Sequence, residues 1–382
     1  MKAGSRVDPE RLRSLLVALI AADSTNPPGG EAAVVAVLAA HFERHGLHPE
    51  ITQALPDRPN LSVSIGAGSG PVLLLNAHTD TMPAGEGWTR PPLGAVVEDG
   101  LVYGRGACDA KGGLAAFAEA VIAIAESGGL RGRVTLDCVA DEEAGAAGTK
   151  AAVAAGRVAD WAIVAEPKDL AVARVSNGQL DVAVTLRGRA AHGSTPDDGS
   201  SAIAAAAELV GMVEAAHVRF RAAPYPLLGP ATYNAGTIRG GIQASIVPAA
   251  CVVEIDRRIL PGSTVESAIA DVDALLADLR SRRPGLEIDC EVTVAIPPVV
   301  VAESSPVCAA LAAALVESGG PAVMTGLRAT SDAAWLDRAG IPAVVFGPGS
   351  LAYAHRPDEC VKVADVVTAA RVIESVARRL VG

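Results

Sequence analysis

The sequence predicts an α/β protein with a mostly parallel sheet and helices on both faces. An inserted α+β unit of four strands and two helices interrupts it. Three observations carry this. Short apolar runs at residues 61–65, 71–76, 134–140 and 161–165 alternate with helical stretches. Strands apolar on both faces are what a parallel sheet buried between helices requires. Near Val175 the pattern changes to the polar–apolar alternation of a half-exposed antiparallel strand, and from about Ile296 the first pattern returns. The expected domains are therefore residues 1–177 with 296–382, and an insert of 178–295.

Each element has a local reason. Asp8-Pro9-Glu10 supplies an N-cap, a proline at the first helical position and an acidic first turn. The apolar run 15–22 then reads as a mature amphipathic helix, not a signal peptide. The turn Asn26-Pro27-Pro28-Gly29-Gly30 leads to a helix over 31–45, stopped by Gly46, and an Ala-rich helix spans 113–127. In the insert, strands are expected at 179–187, 232–239, 251–258 and 287–294, with helices around 201–216 and 265–280. The apolar run 342–346 and a closing helix over 363–380 complete the chain.

Half of the 382 residues are hydrophobic, enough for a sizeable core. With only 4 Phe, 3 Trp and 4 Tyr, that core must be built from Ala, Val and Leu. A formal charge of −11 speaks against a nucleic-acid or anionic-membrane partner, whose phosphates need a basic face. The six cysteines are spread without a Cys-x-x-Cys and read as small buried side chains in a reducing compartment. No apolar stretch reaches membrane-spanning length without charges, so a cytoplasmic protein is expected.

Four segments end an apolar run in metal-type ligands. Residues 73–77 lead into His78-Thr79-Asp80, and residues 134–140 into Asp141-Glu142-Glu143. Residues 161–165 lead into Glu166; residues 343–346 are followed by a Gly/Pro loop and His355. In an open parallel sheet, ligands gather outside the carboxyl ends of the strands. A fifth segment, residues 104–113, is a glycine-rich loop opening the Ala-rich helix; it lacks the Gly-Lys-Ser/Thr ending of a phosphate loop, and Asp109 is its only carboxylate.

These motifs occur in order: His78-Thr79-Asp80-Thr81; Gly104-Arg105-Gly106 through Asp109-x-Lys111-Gly112-Gly113; Asp141-Glu142-Glu143-x-Gly145; Ala165-Glu166-Pro167; Ala354-His355-Arg356-Pro357-Asp358-Glu359. Over nearly its whole length the chain resembles the co-catalytic zinc hydrolases typified by acetylornithine deacetylase, succinyl-diaminopimelate desuccinylase and bacterial glutamate carboxypeptidase. The resemblance implies two zinc ions per subunit, with cobalt or manganese as accepted replacements. His78 and Glu166 would bind one, Glu143 and His355 the other, and Asp109 both. Asp80 would orient His78. Glu142 would take the proton from a metal-bridged hydroxide's parent water and pass it to the leaving amine. The insert would serve as dimerisation and lid domain of a homodimer. His192, in Ala191-His192-Gly193-Ser194, would reach the neighbouring subunit's site and stabilise the oxyanion. Arg258 would hold the substrate carboxylate, with Thr330 and Ser350 in substrate loops. Ser245 stands where the family often has Asn. The implied substrate is a small N-acyl amino acid, or a short peptide for a carboxypeptidase or dipeptidase of the same fold.

Plainer readings compete with some of these. His41 and His45 have metal-chelating spacing, but they also occupy the last turn before Gly46, where imidazoles favour a helix C-terminus. His48 and His217 read as surface residues. A nucleotide-binding oxidoreductase, suggested by Gly66-x-Gly68, fails because that cluster precedes a strand and not a helix. A non-catalytic binding protein is opposed by the presence of every ligand position together with Glu142.

Overall fold

Val72–His78 (VLLLNAH) is buried along nearly all its length and pairs in parallel with a strand on each side. In the computed structural model, which describes residues 5–66 and 69–382, its neighbours are Arg133–Val139 and Trp161–Val164. Ala343–Val345 then pairs in parallel with Trp161–Val164. These four strands are the middle of one sheet. Its margins are antiparallel: Arg58–Ile65 lies against Arg133–Val139, Glu50–Leu55 beyond it, and Val172–Ser176 meets the other end at Ala173↔Val345. The sheet is thus parallel only at its centre. Glu50–Leu55 and Arg58–Ile65 pair antiparallel because a two-residue connection, with Asp57 at φ 59, permits only a hairpin. Gly68 lies outside the described residues.

Helices surround this sheet. Pro9–Ala21 starts where the Asp8 carboxylate accepts the amides of Glu10 and Arg11, and it buries Leu12, Leu15, Leu16, Leu19 and Ile20. Gly112–Ser127 is buried from Gly112 to Ile124, which explains its apolar sequence on every face, and it packs against the closing helix Val363–Val381. The buried apolar helix Gly112–Ser127 and the apolar face of Val363–Val381 pack together in the core.

The chain divides into two units. Apart from Val175 and Ser176, the strands described above belong to the first, made of the described residues up to Arg174 with Val301–Thr325 and Ser331–Gly382; the second is Val175–Val300 with Gly326–Thr330. The second unit has an antiparallel sheet in the order Thr232–Gly240, Ala250–Ile259, Gly178–Arg187, Glu287–Ile296. Leu180, Val182, Val184 and Leu186 alternate onto the face covered by Ala202–Phe220 and Val265–Arg282. Ser201 caps the first of these helices, and a Thr264/Ser267 capping box starts the second.

Several details depart from the sequence expectations. Gly326–Thr330 joins the second unit because Arg328 donates to the Leu228 carbonyl at 2.7 Å and accepts from Asn177 at 3.0 Å. Cys290 is exposed on the edge strand Glu287–Ile296, whereas the other five free cysteines are buried. His217 is half-buried and its Nδ1 accepts the Tyr233 amide. Among the described residues, no helix is long and apolar enough to cross a membrane.

The rings of His41 and His45 lie tilted with centroids 5.1 Å apart and, among the described residues, gather no carboxylate set. His41 is buried, and its Nε2 has no hydrogen-bond partner. Burial, with the charges of His45, Arg44 and Arg11, lowers its pKa to about 4. The unfolded chain binds a proton there below about 6.5 that the fold refuses, so stability falls as pH drops through that window. His41→Leu is expected to flatten the slope by up to about 1.4 kcal/mol per pH unit between about pH 6.5 and 4. Urea unfolding at several pH values checks this; an unchanged slope would contradict it.

Candidate active site

The central strands deliver chemistry at their carboxyl ends. His78 is the last residue of Val72–His78, Asp141 to Glu143 follow Val139, and Glu166 follows Val164 by two residues. Asp109 lies in the turn Ala107–Lys111 that opens the buried helix. Two glycines allow this crowding. A Cβ on Gly113 would stand 2.9 Å from the Ala165 Cβ, and one on Gly347 would stand 2.5 Å from the Glu166 carbonyl oxygen. Only a bare backbone fits at either position.

Asp109 stands between two imidazoles. Its Oδ1 is 3.2 Å from His78 Nε2, and its Oδ2 is 3.3 Å from His355 Nε2. His355 Nε2 is also 3.3 Å from Glu143 Oε1. Two groups result, His78–Asp109–Glu166 and Asp109–Glu143–His355, each with ligand-type atoms within 4.8 Å of one another. Asp80 backs the first group differently from the expectation. The nearer partner of His78 Nδ1 is the Asp80 carbonyl oxygen at 3.0 Å, while the Asp80 carboxylate is 3.7 Å away. That carboxylate instead accepts the amides of Glu142 and Glu143, both at 3.1 Å, and the Asn26 side-chain amide at 2.8 Å. The turn geometry puts the carbonyl toward the ring and frees the carboxylate to hold the acidic loop.

Electrostatics follow from this density. Burial and the neighbouring carboxylate of Glu166 push Glu142 well above the usual range; burial and Asp109 do the same to Glu166. Burial lowers the His78 pKa, but Asp109 and Asp80 outweigh it and hold the ring well above 6.5. Hydrogen bonds to Asp109 and Glu143 raise His355 to about 10. Asp109 itself is desolvated, yet His355 and His78 keep it well below the usual carboxylate range. Protons thus compensate carboxylates that would otherwise repel. Glu166 Oε1 is buried and accepts no hydrogen bond. An imidazole–carboxylate donor set, an orphaned buried oxygen and one carboxylate common to both groups fit a pair of divalent cations of the zinc type.

The other residues named from sequence are placed elsewhere. Ser350 is half-buried in the first unit, its carbonyl accepting the Cys108 thiol at 3.1 Å. His192, Arg258, Ser245 and Thr330 belong to the second unit. His192 is exposed, and its Nδ1 accepts the Ser194 amide at 3.2 Å. The guanidinium of Arg258 is gripped by Asp256, Nε to Oδ1 at 3.2 Å and Nη2 to Oδ2 at 2.9 Å. The Ser245 carbonyl accepts the Gly193 amide at 2.7 Å, and the Thr330 hydroxyl stands 3.5 Å from Gln179 Oε1. Two further residues take part in the site. Asn26 joins Asp80 to Asp141, which Arg58 and buried Glu31 brace. Asp332 is fully buried, its charge acts on Glu142 and Glu166, and burial raises its pKa to about 6. Asn26 sits in the Pro/Gly turn, but nothing in the sequence marks its amide as a link between two acids.

Comparison with known proteins agrees with this geometry. Residues 74–379 match the family described as Peptidase family M20/M25/M40. An acetylornithine deacetylase of Myxococcus xanthus is 32% identical over 378 residues, 95% of each chain. The aminopeptidase PepT of Bacillus cereus ATCC 10987 superimposes with a TM-score of 0.82 at 22% identity, over 98% of this chain and 99% of that one. YXEP of Bacillus subtilis, described as a dinuclear metal binding peptidase from the M20 family, has a TM-score of 0.75 at 16% identity, over 97% of each. The chain belongs to peptidase family M20/M25/M40. It is a metallohydrolase acting on amide bonds.

A protonated imidazole nitrogen cannot ligate, so His78 and His355 would have to shed protons to hold a cation. Zinc binding is expected to release protons and to tighten as pH rises from about 6 to 8. Calorimetric titrations in buffers of different ionisation enthalpy read the proton count; an enthalpy independent of buffer would contradict the assignment.

Proposed function

We propose that the chain is a two-zinc amidohydrolase that removes the acyl group from an N-acyl amino acid. The observation that carries the chemistry is the Asp109 carboxylate shared by two imidazole–carboxylate groups, with Glu142 in the same acidic cluster. The acyl amino acid class is supported by the acetylornithine deacetylases, 31% and 32% identical over most of the chain.

In this reading His78 and Glu166 would hold one cation, Glu143 and His355 the other, and Asp109 would contribute to both; cobalt or manganese would serve as replacements. Cations held there would supply polarisation of the amide carbonyl and acidification of water. Glu142 takes the proton of the attacking water on a carboxylate oxygen and delivers it to the leaving nitrogen. The charges of Glu166 and Asp332 strengthen its hold on that proton. Asp80 fixes Glu142 through its main-chain amide and fixes His78 through a carbonyl.

His192 and Arg258 enter the proposal from the second unit. Because His192 Nδ1 accepts an N–H, its neutral tautomer carries hydrogen on Nε2, the donor an oxyanion needs. Asp256 pins the Arg258 fork for a substrate carboxylate, while Thr330, Ser350 and Ser245 supply the remaining contacts. A homodimer formed through the second unit would bring His192 to the neighbouring subunit's site. Exposed Ile203, Ile238, Ile242 and Ile246 on that unit support such an interface. Free cysteines throughout suit the cytoplasm.

Glu142→Gln is expected to retain both metals and lose about 10²- to 10⁴-fold in turnover. Metal analysis beside amine-release rates checks it, and full activity would reject Glu142 as the proton carrier. A panel of N-acetyl, N-succinyl and N-glutamyl amino acids and dipeptides, run on chelator-stripped protein before and after adding zinc, tests the substrate class. Zinc-restored cleavage of one acyl class is expected; cleavage of dipeptides alone would overturn the deacylase reading in favour of a peptidase.

A further inference from the structure

Four residues beyond His355, Glu359 is fully buried and takes no part in the steps above. Its Oε1 accepts two main-chain amides, Cys108 at 2.9 Å and Asp109 at 3.0 Å. Its Oε2 accepts Arg105 Nη1 at 2.5 Å, and its own carbonyl accepts the Gly104 amide at 2.8 Å. All of these donors come from the short loop that carries Asp109. Arg105, equally buried, is anchored in turn: Nη2 donates to the carbonyls of Pro83 and Ala84 at 3.2 and 3.1 Å, and the guanidinium lies 5.3 Å from the Trp88 ring centroid.

The geometry of Asp109 makes this contact matter. At φ −122 and ψ 95 its backbone leaves the helical path, so the helix ladder does not hold it. Yet its side chain must keep one oxygen 3.2 Å from His78 and the other 3.3 Å from His355. A side chain with one carbon between Cα and carboxylate can do that only if its main chain is fixed. Two amides on one acceptor oxygen, one of them Asp109's own, supply that fixation. The segment holding His355 thereby also sets the position of Asp109. Charge is not what the amides need, since the neighbouring Asp109 carboxylate repels a second anion; an acceptor oxygen is.

We propose that Glu359 is a positioning residue for the shared carboxylate. It holds the main chain at Cys108 and Asp109 so that both Asp109 oxygens stay on station, and so it supports both cation positions at once. The inference rests on the reading of Asp109 as the shared ligand. Two roles of Glu359 separate by chemistry. The pairing with Arg105 needs the anion and contributes to fold stability. The hold on the amides needs only an oxygen, which glutamine keeps.

The test is titration of the metal-free protein with cobalt chloride, followed by the visible spectrum and by competition with a chelator, beside urea unfolding of the same samples. Glu359→Ala is expected to weaken both cobalt equivalents by about 10- to 100-fold and to change the spectrum. Glu359→Gln is expected to keep the wild-type spectrum and affinity, although both variants lower the urea midpoint. If Glu359→Ala does not fold, Glu359→Leu, which fills the space without an acceptor, takes its place. Wild-type cobalt binding by the acceptor-less variant would overturn the proposal, as would equal loss in Glu359→Gln. Asp109→Ala is the control: if it still binds two cobalt ions tightly, the ligand reading itself has failed; if it loses them while the acceptor-less variant does not, only the role of Glu359 falls.

Discussion

One carboxylate with two oxygens facing two imidazoles is the constraint on which the site depends. Asp109 has no room to serve His78 alone, because His355 approaches its other oxygen at nearly the same distance. Everything around it works to hold that division. The parallel strands bring His78, Glu143 and Glu166 to the carboxyl end of the sheet, and the bare backbones at Gly113 and Gly347 let the helix after Asp109 and the loop after Ala343–Val345 approach the Glu166 strand end closely. A fold with longer side chains at those two glycines would push the ligand groups apart.

The same constraint sets the electrostatics. Carboxylates packed this tightly and this deeply cannot all stay ionised without compensation, so Glu142 and Glu166 favour a proton and the imidazoles favour theirs. Such a cluster is poorly explained as a structural device. A buried network meant for stability pairs every acid with a donor, as Arg58 and Asn26 do for Glu31, Asp80 and Asp141 behind the site. At the front, Glu166 Oε1 and both Asp332 oxygens go without. The contrast between a satisfied back and an unsatisfied front marks where cations and substrate are expected.

The family and the α/β class were legible because both rest on short-range pattern. Apolar runs that stop at His, Asp or Glu are visible in one line of sequence, and so is the switch to period-two alternation after Val175. The margins of the sheet were not, because Glu50–Leu55 is exposed and mixes polar with apolar residues, and Arg174 interrupts the apolar run of Val172–Ser176. Roles that depend on main chain were also hidden. That Asp80 turns its carbonyl to His78 and its carboxylate to the acidic loop follows from the turn, not from residue type. The bracing of Arg258 by Asp256 was available in principle, since residues two apart on a strand share a face.

The most direct test of the shared carboxylate is an anomalous difference map at the zinc absorption edge from crystals of the zinc-loaded protein. Two peaks about 3.5–4 Å apart are expected, the usual spacing of a two-metal site, one on each oxygen of Asp109. A single peak, or two peaks of which only one touches Asp109, would contradict the account.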